Sequence, residues 1–236
     1  MPNNLMFKVP LNLRKLASDN KGFLAFVFFM VLVRSAFADW YLVPSSSMYP
    51  TLLQGDRVIS NRVAYDIKLP FTDVVLKQIA DPQRGDIVTF TSPEDGIRLV
   101  KRLVALPGDV VEMREEKLVI NGVEASYSPV QVSNADHLTP VREYQHQQLV
   151  FNESLAGMQH EVIVMPEKPA MRSFGPVQVP QGQYLMLGDN RDNSKDSRYI
   201  GFVKRELITG QVKRLMFSLN GDNYYLPRLE RFAAKV

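Results

Sequence analysis

The sequence of 236 residues contains no cysteine, which excludes disulfides, thiolate metal ligands and redox chemistry by sulfur. A large excess of one charge is also missing. With 28 Lys+Arg against 25 Asp+Glu the formal net charge is only +3, and no basic stripe of the kind that holds nucleic acid is present. Beyond residue 43 no helical periodicity lasts longer than two turns, and neither internal repeats nor low-complexity tracts occur. What the chain does have is 45% hydrophobic content, ample for one substantial domain or a domain with an appendage.

One long apolar stretch stands apart from the rest. Residues 22–33, GFLAFVFFMVLV, are uninterrupted, and the apolar character resumes after Arg34 and Ser35 up to Val43. A stretch of this length suffices to span a bilayer, with Arg34 able to snorkel and Trp40 and Tyr41 suited to an aromatic belt. Upstream stand Lys8, Arg14, Lys15 and Lys21 against Asp19, so the positive-inside rule keeps residues 1–21 cytoplasmic, makes 22–43 a single-pass anchor and exports 44–236. A buried core helix is one rival reading. Another is a cleavable signal peptide, because Ala36, Phe37 and Ala38 form an A-x-A pattern. Both exported readings put the bulk of the protein on the same side of the membrane.

After the anchor the patterns are short and strand-like: RVIS at 57–60, DIVTF at 86–90, IRLVKRLVA at 97–105, EVIVM at 161–165, QYLML at 183–187 and QVKRLMF at 211–217. VVEMREEKLVING predicts a hairpin closing through Arg114–Glu116. The fold class is therefore mainly β. Residues 121–175 are polar and Gln-rich and carry all three histidines, His137, His146 and His160, which suggests an insertion riding on the core with its histidines at the surface.

Two loops and one strand carry candidate chemistry. PSSSMYPTL, residues 44–52, sets Ser45, Ser46 and Ser47 between two prolines, and from the residues alone any of the three hydroxyls could be a nucleophile. In the strand at 97–105 one face presents Ile97, Leu99, Lys101, Leu103 and Ala105, so Lys101 is its one polar group. Desolvation there lowers an amine's pKa toward that of a usable base, although a lysine reaching out to water fits the same pattern. Arg102 points to the other face. GDNRDNSKDSRYIG, residues 188–201, fails as a calcium loop, since a start at Asp192 puts Val203 where the bidentate glutamate belongs. Its Asp189, Asp192 and Asp196 alternate with Arg191, Lys195 and Arg198, which predicts structural ion pairs.

Together PSSSMYPTL behind an apolar anchor, RLVKRLVALPGD at 98–109 and GDNRDNSKDSRYIG resemble bacterial type I signal peptidases, the membrane-bound Ser-Lys proteases. The resemblance implies Ser47 as nucleophile, Lys101 as general base, and the Ser47 backbone N–H with the Ser45 hydroxyl as oxyanion donors. It further implies that Ser194 orients the Lys101 amine and that Asp196 and Arg198 form an ion pair holding the loop beside the dyad. Ser46 falls where the family tolerates small residues. The family fold is mainly β, with a transmembrane helix before a catalytic domain carrying an inserted subdomain, and uses no metal or organic cofactor. Its substrates are the signal peptides of exported preproteins, cut after A-x-A-like sites. The implied setting is the bacterial inner membrane, with contact to membrane lipid, a monomeric catalytic domain on the periplasmic face, and no nucleic acid partner. One anchor instead of two, no cysteine in the insertion and the charged Lys195 depart from better-known members. A dedicated processing peptidase of a secretion or conjugation system, and a non-enzymatic membrane-anchored assembly protein, remain as alternatives.

Overall fold

The computed structural model describes residues 19–131, 138, 144–145, 147–221 and 223–236. Its first element is helix α1 (Lys21–Phe37), apolar on every side, with Phe23, Phe26, Phe28 and Phe29 each more than half exposed. At Ala38 the helix gives way to strand β1 (Ala38–Leu42), antiparallel to β2 (Asp56–Asn61). The apolar stretch 22–43 is thus not one element, and its end, Ala38–Leu42, is corrected from anchor to sheet. Trp40 and Tyr41 favour a pleated surface, and the edge of β2 supplies partners for the β1 backbone. Asp39, which would be costly in hydrocarbon, instead accepts hydrogen bonds from the Trp40 N–H and the Tyr41 hydroxyl. Among the described residues no helix is long and apolar enough to cross a membrane.

The other strands follow in chain order. A small hairpin pairs β3 (Asp66–Lys68) with β4 (Val75–Gln78), and β5 (Ile87–Thr91) pairs with β6 (Arg98–Ala105). Next come β7 (Val110–Arg114), β8 (Lys117–Ile120), β9 (Val123–Glu124) and β10 (Ser126–Pro129), then the hairpin of β11 (Leu149–Leu155) and β12 (Met158–Val164). The chain closes with β13 (Phe174–Gln178), β14 (Gln183–Leu187), β15 (Val203–Lys204), the long β16 (Ile208–Asn220) and β17 (Leu226–Pro227). The principal sheet runs β1-β2-β16-β5-β6-β14-β15, flanked by a β13-β7-β8-β9 sheet and a β10-β11-β12 sheet. The β7–β8 hairpin turns at Glu115 and Glu116, as its sequence predicts.

Residues 121–175 do not ride on a finished core. Ala125, Leu155 and Met158 are buried in one cluster with Val104, Val111 and Leu185, while Val150, Ile163 and Met165 are buried with Tyr49 and Leu53. Burying a side chain such as Ile163 contributes about 2 kcal/mol, so this segment stabilises the turn that carries the three serines. Polar composition concealed the apolar face of the β11–β12 hairpin, whose buried residues are spread along both strands.

Candidate active site

The turn between β1 and β2 is pinned from below by its own apolar residues. Met48, Tyr49, Leu52 and Leu53 are at most 2% exposed, and the Asp56 carboxylate accepts from the Leu53 N–H at 2.8 Å. That leaves Ser47 half-buried at the near end of the turn, facing β6. There Lys101 Nζ lies 2.5 Å from Ser47 Oγ. Ser45 Oγ donates to Ser47 Oγ at 3.3 Å. The strand face predicted from alternation is present: Leu99 and Leu103 pack in one cluster with Val88 and Phe90, and Lys101 is itself buried. Burial pushes its pKa down to about 8, against the opposing pull of the Asp196 and Asp189 carboxylates.

The loop after β14 closes over this pair. Gly188 donates its N–H to Asp196 Oδ2 at 3.0 Å, and a Cβ at Gly188 would stand 2.5 Å from the Ser47 carbonyl oxygen and 2.3 Å from Ser194 Oγ. Only glycine allows that approach. Gly188→Ala is therefore expected to displace Ser47 and cut the cleavage rate by about 100-fold, since misplacements near 1 Å cost that much; an unchanged rate in the folded variant would show that the carbonyl yields freely. Asp196 caps the short helix α2 (Ser197–Ile200) and pairs with Arg198 through two contacts of 2.8 Å. Burial raises the Asp196 carboxyl, but Arg198, together with hydrogen bonds from the Gly188 N–H and Ser194, more than offsets this and holds it below the usual carboxylate range. Ser194 is buried beside Gly188, where its hydroxyl also helps to hold the Asp196 carboxylate ionised.

Several members of the site were not legible as such. Arg102 does face away from Lys101, and there it grips Asp189 through contacts of 2.8 and 2.7 Å, while Thr51 donates to the same carboxylate at 2.5 Å. This one ion pair joins β6, the serine turn and the loop after β14. The expectation of pairing within 188–201 holds for Asp196 with Arg198, but Asp192 meets Arg172, and Lys195 reaches Glu94. His160 is corrected from surface to interior. It pairs across the β11–β12 hairpin with Glu153, its Nε2 lying 3.5 Å from Glu153 and 3.7 Å from Asp189. Burial pushes its pKa down to about 4, so the imidazole is neutral. The signal available in the sequence was NESLAGMQH, where a turn at Ala156–Gly157 sets Glu153 opposite His160. His137 and His146 lie outside the described residues. Among the described residues no group of three or more His, Asp or Glu side chains is placed to hold a metal ion.

Beside Ser47 runs a cleft of about 120 Å³ between Tyr41–Ser45 and Arg98–Lys101. Among the described residues that part of β6 pairs only with β5, because β14 joins from Arg102 onward. One wall of the cleft is thus a strand edge unpaired among the described residues, with Pro44 and Ser45 beside the serine.

A family model described as signal peptidase, peptidase S26, matches residues 19–217. The chain belongs to this family. Among curated relatives, the Signal peptidase I of Pseudomonas fluorescens is 36% identical over 209 residues, 84% of this chain and 71% of the relative. Signal peptidase I T of Bacillus subtilis (strain 168) is 32% identical over 203 residues, 85% of this chain and 84% of the relative. A solved signal peptidase I from Enterococcus faecalis V583 has 36% sequence identity, covering 57% of this chain and 98% of its own, with a TM-score of 0.34, too low to bear on the fold. Membership in the signal peptidase family upholds the resemblance drawn from three short motifs and makes the chain a peptide hydrolase.

Proposed function

We propose that this chain removes signal peptides from exported preproteins as a serine peptidase, with Ser47 as nucleophile and Lys101 as general base. The observation that carries the dyad is the 2.5 Å contact between a buried amine and the Ser47 hydroxyl. Near its pKa of about 8 a useful fraction of the amine is neutral and can take the Ser47 proton as Oγ attacks the scissile carbonyl. The Ser47 N–H and the Ser45 hydroxyl receive the oxyanion. Collapse of the tetrahedral intermediate passes the proton from Lys101 to the leaving amine and leaves an acyl-enzyme. Water, deprotonated by the same lysine, then releases the signal peptide. The substrate lies extended along the β6 edge of the cleft, with alternate side chains turned into the cleft, and small ones fit there. The Asp196–Arg198 and Asp189–Arg102 pairs hold the walls in register.

Incubating the purified protein with preproteins that differ around A-x-A tests the activity and its breadth. Cleavage of many supports a general enzyme, cleavage of one a dedicated peptidase, and no cleavage together with no reaction toward a serine-directed acylating probe would leave an assembly protein.

In the same reading the apolar segment within residues 22–43 anchors the chain in the bilayer, 1–21 are cytoplasmic, and 44–236 form the periplasmic catalytic domain. Supporting it, the β3–β4 hairpin leaves Ile67, Leu69, Phe71, Val74, Leu76 and Ile79 between 44 and 62% exposed. Its Phe71 N–H meets Ser35 Oγ of α1 at 2.6 Å. A two-stranded hairpin so apolar is poorly stable in water, and lipid would cover it. In reconstituted vesicles a fluorophore at Phe71 is expected to be quenched by lipid-borne quenchers near the interface, and quenching only from the aqueous phase would count against this location.

A further inference from the structure

The peptide unit between Ser46 and Ser47 is planar and trans, so its carbonyl oxygen and its N–H point in opposite directions. Whatever fixes the Ser46 oxygen therefore aims the Ser47 N–H. Two donors hold that oxygen at 3.0 Å, the Tyr49 N–H within the turn and Asn190 Nδ2 from the loop after β14. Asn190 also donates its backbone N–H to the next carbonyl, Ser47 O, at 3.2 Å. One fully buried residue thus grips both carbonyls that bound the nucleophile. The grip is anchored from behind, because the Ile163 N–H donates to Asp189 O at 2.9 Å and the Asn193 N–H to Asn190 O at 3.0 Å.

We propose that Asn190 is a positioning residue that aims the Ser47 amide at the oxyanion. This rests on the assignment of Ser47 as nucleophile. The chemistry explains the residue type: a neutral carboxamide supplies a donor to a carbonyl, whereas a carboxylate of the same shape has only acceptors and would face Ser46 O with its charge. The backbone N–H of residue 190 survives replacement by alanine or aspartate, so these substitutions test the side chain and leave the backbone contact. Its effect is confined to the tetrahedral stage, where the amide meets negative charge that the ground-state carbonyl lacks.

Asn190→Ala and the isosteric Asn190→Asp, measured on the full chain in detergent, are expected to lower kcat by about 100-fold, the loss typical of one oxyanion donor. KM should stay within about twofold in both, and the acidic limb of the pH-rate profile should stay in place in Asn190→Ala, which adds no charge near Lys101. A peptide aldehyde, whose adduct with Ser47 carries the oxyanion, should bind more weakly by a similar factor. An uncleavable substrate peptide, titrated into Ser47→Ala with and without Asn190→Asp, should bind equally well. A folded Asn190→Asp with kcat within threefold of the parent overturns the proposal. So does equal loss of peptide and aldehyde binding, which would assign Asn190 to the cleft, or a displaced limb in Asn190→Ala, which would assign it to the base. Activity in Ser47→Ala would remove the underlying reading, whereas an active Asn190→Asp beside a dead Ser47→Ala removes this proposal alone.

Discussion

Ser47→Ala abolishes cleavage of a signal-peptide substrate, Ser46→Ala retains most of the rate, and Ser45→Ala leaves a weakened enzyme: these are the expected results across the serine run. Three adjacent hydroxyls differ in what they touch. Ser47 Oγ alone meets the Lys101 amine, so without it there is no atom to acylate. Ser46 Oγ is buried and accepts from Asn193 Nδ2 at 2.7 Å, a contact whose loss costs about 1 kcal/mol of stability and touches no reacting atom. Ser45 is exposed with its hydroxyl 3.3 Å from Ser47 Oγ, and removing an oxyanion donor costs about 100-fold or more in rate. Initial rates on a purified preprotein, with thermal melts for folding, measure all three. A dead Ser46→Ala beside an active Ser47→Ala would overturn the assignment.

The proposed dyad was easier to pick out of the sequence than the frame that holds it, for a physical reason. Lys101 announces itself because a strand alternates strictly, and one cation among Leu99, Leu103 and Ala105 breaks the pattern. The serine run announces itself because no regular element calls for it. Partners that meet through tertiary pairing leave no such trace. Asp189 finds Arg102 across 87 positions, and nothing local distinguishes that match from one with Arg191, its neighbour but one. His160 resembled a solvated residue because the segment around it, residues 121–175, is polar and Gln-rich, yet its partner sits opposite across a tight hairpin. The apolar run misled at its end for the converse reason. Composition marks hydrophobicity but not hydrogen-bonding partners, and Ala38–Leu42 pair with β2, itself fixed by β16 more than 150 residues later.

The largest pH effect is expected at Lys101. The amine must be neutral to accept the Ser47 proton, so the rate rises with pH through a pKa of about 8 and falls away below it. Lys101→Arg should be inactive throughout, because a guanidinium stays protonated. A subtler variant tests whether desolvation sets the value. Leu103 is fully buried, and a glutamate there would break the core. Leu99, two residues from Lys101 on the same face and only partly buried, can take a carboxylate. In Leu99→Glu the added charge and the water it admits favour the ammonium, which raises the pKa and moves the acidic limb to higher pH by about one unit, or about 1.4 kcal/mol between protonation states. The rate at pH 7 should then fall about tenfold and approach the parent value well above the new pKa. Leu99→Met keeps the face apolar and should leave the limb in place. Because Leu99 also borders the cleft, the reading is the position of the limb in kcat, not the absolute rate, with circular dichroism to verify folding. A limb that stays at its original pH in an active, folded Leu99→Glu, or a working Lys101→Arg, would show that burial of this amine does not make it the base.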